Sequence, residues 1–137
     1  MIRLFKAYLF FLTLISCKNR YEEIPLVNVN MYINTQDPKY QNLSGLGSWA
    51  YVNGGSKGII VFNLDNENYV AYERHCPFDP ENICSQVAVD ETNLYAVDTC
   101  CKSRYQLIDG ALIDGPGSLP LKAYNTSFDG NILRIWN

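Results

Sequence analysis

The sequence has little of several features that usually indicate a function. Its 137 residues include one histidine, His75, and no segment keeps a helical periodicity. Lys and Arg together number 11 against 14 Asp and Glu, for a net charge of −3, so no basic surface for nucleic acid is expected. A nucleophile elbow, a phosphate-binding loop and a metalloprotease helix motif are all missing. The sequence therefore gives no positive indication of an enzyme.

Long apolar runs are also missing, apart from one near the start. Residues 7–15 are apolar or small and follow Arg3 and Lys6. A helix needs about 20 apolar residues to cross a bilayer, so this run is too short for a permanent span. A short apolar core after basic residues is typical of a signal peptide. We therefore expect residues 1–16 to be removed after export.

The end of this segment predicts a lipid anchor. Leu14-Ile15-Ser16-Cys17 resembles the bacterial lipobox, in which the cysteine is acylated and becomes the first residue of the mature chain. The alternative is an ordinary secreted protein with a free or buried cysteine near its start. Lys18, rather than Asp, follows Cys17, which favours the outer membrane of a Gram-negative envelope over retention at the inner membrane. We expect the mature chain to be held at the membrane through Cys17.

The rest of the chain predicts one all-β domain. Residues 17–24 are mostly polar and predict a tether, and residues 25–137 are enough for a single core. Short apolar or alternating runs are separated by turn residues, among them Asn53-Gly54-Gly55 and Asp129-Gly130. Such spacing indicates an antiparallel sandwich or barrel, with residues 37–47 irregular. The predicted strands are 26–33, 49–52, 58–62, 69–72, 86–89, 94–97, 105–108, 111–113, 123–128 and 132–136.

Four cysteines besides Cys17 lie in the second half of the chain. They are Cys76, Cys84, Cys100 and Cys101. Outside the cytoplasm such thiols are expected to form disulfides unless a metal holds them. A bond between the adjacent Cys100 and Cys101 would need a strained ring, which disfavours one of the three possible pairings and leaves the other two open.

Three segments around these cysteines resemble the Rieske iron-sulfur domain. The segment from Asp98 to Ser103 is similar to the Cys-Pro-Cys-His-Gly-Ser loop of that family, and Cys76-Pro77-Phe78 with Cys84 resembles its other cysteine loop. Residues 115–121, Gly-Pro-Gly-Ser-Leu-Pro-Leu, resemble its proline loop. The resemblance implies a Rieske-like antiparallel fold with two cysteine loops and a proline loop. In that family two cysteines and two histidines hold a [2Fe-2S] cluster.

The resemblance also implies that the cluster has been lost. Its four ligand positions correspond to Cys76, Phe78, Asp98 and Cys101, of which Cys76 alone keeps the family's ligand. The family's bridging pair corresponds to Cys84 and Cys100, which leaves Cys76 and Cys101 to form a second disulfide. We therefore expect no cofactor. The alternatives are an atypical [2Fe-2S] cluster and a zinc ion held by Cys76, Cys101, His75 and Asp98.

If no zinc is bound, we expect structural roles for His75 and Asp98. His75 is expected to be a loop or surface residue, because neither loop motif places it at a ligand position. Asp98 is expected to make hydrogen bonds in a turn, since no second carboxylate stands at a recognisable spacing from it.

Three classes of function fit these expectations. The first is an envelope lipoprotein with a structural or binding role on a Rieske-like frame, since a fold does not carry its function once the site has changed. The second is an electron carrier with an atypical cluster, and the third is a thiol-handling or metal-handling envelope protein. The sequence identifies no partner other than the membrane.

The lipid anchor can be tested by one substitution. Cys17→Ala should release the protein from the membrane or leave an uncleaved precursor, because the sequence contains no other apolar run that could hold it there. Cell fractionation and labelling with a clickable fatty acid measure the two effects. Fatty-acid label that persists in the variant would contradict acylation at Cys17.

Overall fold

A computed structural model describes residues 23–137 of the chain. The expected signal peptide at 1–16, the lipidation site Cys17 and most of the tether at 17–24 lie outside the described residues. Within residues 23–137, no helix is long and apolar enough to cross a membrane.

The described chain forms two antiparallel sheets and one short 3-10 helix, which confirms the predicted all-β antiparallel architecture. The larger sheet has six strands in the order β1-β10-β9-β4-β3-β2, and the smaller has four in the order β5-β6-β7-β8. The strands are β1 Asn30–Asn34, β2 Trp49–Val52, β3 Ile59–Asn63, β4 Tyr69–Glu73, β5 Val87–Val89, β6 Tyr95–Asp98, β7 Arg104–Gln106, β8 Leu112–Asp114, β9 Ala123–Phe128 and β10 Ile132–Trp136.

The first strand is shorter than predicted. Alternation in the sequence favoured residues 26–33, but β1 begins at Asn30. The segment before β1 is not part of the sheet, and its backbone is hydrogen-bonded to the side chain of Asn137. The Asn137 Oδ1 atom accepts a hydrogen bond from the backbone N–H of Val29 at 3.0 Å, and its Nδ2 donates to the carbonyl of Val27 at 2.8 Å.

The β3 strand lies between two hydrophobic cores. All five of its residues are buried. Because side chains alternate along a strand, Ile59 and Val61 pack into the core shared with β1, β9 and β10, while Ile60 and Phe62 pack into the core shared with the smaller sheet. A strand covered on both faces reads as a continuous apolar run, as this one does. The arrangement anchors the smaller sheet, which carries the cysteine loops.

The helix lies in the segment that was predicted to be irregular. It spans Pro38–Ser44, and the Asp37 side chain caps its start by accepting a hydrogen bond from the backbone of Lys39 at 2.9 Å. Asp followed by Pro is a common signal for a helix start. Leu43 is fully buried in the larger core, so packing stabilises this short helix.

The buried carboxylate of Glu73, at the end of β4, accepts four hydrogen bonds. Its donors are the backbone N–H groups of Ser56 at 2.7 Å, Lys57 at 2.9 Å and His75 at 3.0 Å, and the Tyr124 hydroxyl at 2.8 Å. Burial by itself raises the pKa of Glu73, but these hydrogen bonds outweigh it and lower the pKa overall. Glu73 thus ties the β2–β3 turn to the first cysteine loop.

Glu73 should make stability depend on pH. Because its pKa is lower in the folded state, its stabilisation is present above the unfolded value of about 4.3 and is lost as the pH falls through the folded value. Glu73→Gln should lower the free energy of unfolding at pH 7 by about 1–3 kcal/mol, since one amide oxygen cannot satisfy four donors. The difference in the free energy of unfolding between Glu73→Gln and wild type should be smaller at pH 3, because the wild-type carboxylate is then partly protonated.

Urea denaturation at the two pH values measures both effects. Glu67→Gln, at an exposed position, is the matched control and should behave like wild type at both. A Glu73→Gln difference that stays constant between pH 7 and pH 3 would contradict the role of the carboxylate charge.

Candidate functional site

The second cysteine loop, residues 99–103, is shaped by the side chain of Asp98. This residue ends β6 and is fully buried. Its Oδ1 atom accepts hydrogen bonds from the backbone N–H groups of Cys100 at 2.7 Å and Cys101 at 2.8 Å. Lys102 then takes a left-handed backbone conformation, with φ of 64°, before β7 begins. Asp98 makes the turn hydrogen bonds that were predicted for it, and they direct the loop around the carboxylate.

The first cysteine loop, residues 74–86, is held by the Lys57 ammonium group. Its Nζ donates hydrogen bonds to the carbonyls of Asn82 at 3.0 Å, Ile83 at 3.3 Å and Ser85 at 2.9 Å. The backbone N–H of Cys76 in turn donates to the Ser85 carbonyl at 3.3 Å. These contacts close the loop on itself and fix the position of Cys76.

One disulfide joins the two loops. Cys84 is bonded to Cys100 with their Cα atoms 5.7 Å apart, a usual separation for a disulfide, which confirms the first predicted bridge. The second predicted bridge is not formed, because Cys76 and Cys101 are free thiols in the described chain. The Cys76 thiol is instead 3.3 Å from the Tyr105 hydroxyl, and the Cys101 thiol donates to Ser103 Oγ at 3.1 Å.

Three potential metal-ligand groups of the two loops lie close to one another. The Sγ atoms of Cys76 and Cys101 and one carboxylate oxygen of Asp98 all lie within 4.8 Å of one another. Cys76 and Asp98 are completely buried, while Cys101 is partly exposed. The Oδ2 atom of Asp98 is buried and has no hydrogen-bond partner in the part of the chain that the structure describes. We call these three residues the thiol site.

The surroundings of the thiol site keep Cys76 protonated. Burial raises the pKa of the Cys76 thiol to about 12, and the neighbouring Asp98 carboxylate adds to the rise while the hydrogen bond with Tyr105 opposes it. Segment 115–121 contacts the neighbouring Ser103, since the backbone N–H of Gly117 donates to Ser103 Oγ at 3.3 Å. A bound cation would favour the thiolate form of Cys76 and would therefore lower the pKa of this thiol.

Access to the thiol site is from the side of Cys101. A cleft of about 230 Å³ opens there. Phe78, which occupies a predicted ligand position, lines this cleft with 37% of its surface exposed. The residues lining the cleft are Phe78, Asp79, Asn82, Ser85, Cys100 and Cys101.

His75 lies in the first cysteine loop and not at the surface, and it does not belong to the thiol site. Its side chain is 4% exposed. Nε2 lies 2.7 Å from the carbonyl oxygen of Pro80, which can only accept, so Nε2 donates this hydrogen bond, and Nδ1 is hydrogen-bonded to the Ser56 hydroxyl at 2.8 Å. Both ring nitrogens therefore have protein partners. These partners could not be predicted from the sequence, because the folding of two loops brings Ser56 and Pro80 to His75.

The residues present do not fit a Rieske cluster. Phe78 has no donor atom, and Asp98 offers a hard oxygen that already accepts two backbone hydrogen bonds. His75 is turned to other partners. The two histidine ligands that such a cluster needs are therefore missing from the site. Comparison with known proteins adds no relative, since neither a protein-family model nor a curated protein matches the chain.

The Cys84–Cys100 bond should matter for stability. Removing a native disulfide from a small secreted domain costs about 2–5 kcal/mol. Cys84→Ser or Cys100→Ser should lower the free energy of unfolding by this amount, measured by urea denaturation. Cys101→Ser, next to the bridge, is the control and should cost less, because it breaks no covalent bond. Equal losses in the two cases would contradict a stabilising role for the bridge.

Proposed function

We propose that this protein is an envelope lipoprotein with a Rieske-like fold. In this proposal the fold binds a single thiophilic divalent cation, with zinc as the favoured ion, instead of an iron-sulfur cluster. The observation that carries the proposal is the convergence of two free thiols and a carboxylate within 4.8 Å, at Cys76, Asp98 and Cys101. It favours a metal-binding role over a purely structural one.

The spacing of these groups suits zinc. Zinc takes cysteine sulfur at about 2.3 Å and carboxylate oxygen at about 2.0–2.2 Å, so two sulfurs on one tetrahedral ion lie about 3.8 Å apart. Donor atoms within 4.8 Å of one another can reach such an ion by small side-chain rotations. Three protein ligands leave a fourth position, which a water molecule from the adjoining cleft can fill.

Charge also supports a cation at this place. The Oδ2 atom of Asp98 is buried without a hydrogen-bond partner among the residues described, and an unpaired buried acceptor is costly. A divalent ion would satisfy this oxygen and would stabilise the two thiolates that bind it. The Oδ1 atom stays engaged with the backbone of Cys100 and Cys101, so the carboxylate would be oriented before the ion arrives.

The resemblance to the Rieske domain supports the proposal, because in that family two cysteine loops and a proline loop converge on one site. In this chain the Cys84–Cys100 bond joins loops 74–86 and 99–103, and Gly117 of segment 115–121 donates a hydrogen bond to Ser103. Lys102 takes a left-handed backbone where the family motif has glycine, which supports a similar loop path. Position 101 would then supply a thiolate where the family supplies an imidazole.

Metal analysis tests this proposal. The exported protein, purified in detergent, reduced with glutathione and freed of metal, should bind about one zinc per chain and no stoichiometric iron, and it should be colourless. Cobalt(II) in place of zinc should give thiolate charge-transfer bands and the visible bands of a tetrahedral ion. Cys76→Ser and Cys101→Ser should abolish these bands, and Asp98→Asn should weaken zinc binding by about tenfold or more.

Asp79→Asn is the matched control, because Asp79 is an exposed carboxylate that lines the same cleft. It should bind zinc as wild type does. Two irons per chain with visible colour in the protein as purified, before the metal is removed, would instead support the electron-carrier alternative. Zinc binding that is unchanged in the Cys76, Asp98 and Cys101 variants would overturn the proposal.

A further inference from the structure

The thiol site has a second chemical property that metal binding does not use. Its two cysteines differ in access, since Cys76 is fully buried while Cys101 is partly exposed and lines the cleft. We infer that Cys76 and Cys101 are a redox-active pair that exchanges with external disulfides, with Cys101 as the attacking thiol and Cys76 as the resolving thiol. The inference goes beyond the proposed metal binding and uses the same two cysteines.

The distance between the sulfurs permits the bond. The two Sγ atoms are no more than 4.8 Å apart, whereas a disulfide needs about 2.05 Å. Each thiol is held by a weak hydrogen bond, to Tyr105 for Cys76 and to Ser103 for Cys101, so a change of side-chain torsion can bring them together. The neighbouring Cys84–Cys100 bridge already holds the two loops at a fixed separation.

The exchange proceeds in two balanced steps. In the first, Cys101 Sγ attacks a disulfide R–S–S–R that enters the cleft, forms a mixed disulfide, and releases one R–S group that takes up the Cys101 proton. In the second, Cys76 Sγ attacks Cys101 Sγ, forms the Cys76–Cys101 bond, and releases the second R–S group with the Cys76 proton. Two protein thiols are oxidised, and one external disulfide is reduced to two thiols.

The order of attack follows from the geometry. A fully buried sulfur cannot meet a disulfide in solution, while Cys101 borders an open cleft of about 230 Å³, which is large enough for the two sulfurs and the flanking atoms of a disulfide. Oxidation and metal binding exclude each other, because both use the same sulfur electrons. The oxidised protein should therefore release zinc.

The exported protein, purified in detergent and kept in EDTA, tests the exchange. It is equilibrated with mixtures of reduced and oxidised glutathione, quenched with acid, alkylated and analysed by peptide mass spectrometry. With excess oxidised glutathione, both thiols should be lost together and map to a Cys76–Cys101 bond. With excess reduced glutathione, both should return while Cys84–Cys100 remains.

Single substitutions separate the two roles. Cys76→Ser, repeated as Cys76→Ala in case serine disturbs the core, should trap a glutathione mixed disulfide on Cys101. In Cys101→Ser, Cys76 should stay unmodified, because oxidised glutathione cannot reach it. The inference is overturned if Cys76 and Cys101 stay reduced, if they pair with Cys84 or Cys100, or if glutathione is trapped on Cys76.

Asp98→Asn separates this inference from the proposed zinc site. The asparagine keeps an oxygen for the loop hydrogen bonds but removes a metal ligand, so the variant should bind zinc weakly and still form the Cys76–Cys101 bond. Disulfide formation without zinc binding in wild type would refute the metal proposal alone. Zinc binding with no disulfide formation would refute the redox inference alone.

Discussion

The Asp98 carboxylate is the interaction on which the candidate site depends. One of its oxygens turns the chain from β6 into the second cysteine loop by accepting the N–H groups of Cys100 and Cys101. Its other oxygen is buried without a partner among the described residues. The same side chain thus shapes the loop and places a carboxylate oxygen within 4.8 Å of two thiol sulfurs. A neutral residue at position 98 could shape the turn, but a cation would bind more weakly without the carboxylate.

The first cysteine loop depends on a second buried carboxylate. Glu73 joins the β2–β3 turn to the backbone of His75, and Lys57 in that turn reaches three carbonyls of the loop. The His75 ring completes the link between Ser56 and Pro80. Cys76 therefore sits in a rigid setting, whereas Cys101 is open to a cleft. Such an unequal pair suits both a partly open metal site and stepwise thiol exchange.

The second disulfide was expected between Cys76 and Cys101, and the structure has the same two residues as free thiols. These are the oxidised and the reduced state of one cysteine pair. The Rieske resemblance placed Cys76 and Cys101 opposite each other by analogy with the family's ligand positions, and the structure brings their sulfurs within 4.8 Å. Neither state needs the iron-sulfur cluster, whose histidine ligands are missing from these positions. The two cysteine loops, joined by the Cys84–Cys100 bond, bring two free thiols and a carboxylate together, which is the basis of both proposals.

The sequence by itself determined the β architecture. Period-two alternation and turn residues are local signals, so they located the β2–β3 hairpin and the turn at Asp129-Gly130 closely. It also determined the motif at Cys17, whose acylation stays a prediction. Tertiary structure decided what depends on distant contacts: the helix at Pro38–Ser44, the burial of His75, and the state of the thiols. Cys76 and Asp98 lie far apart in the chain, and the pairing of β5, which follows the first cysteine loop, with β6, which ends at Asp98, brings them together.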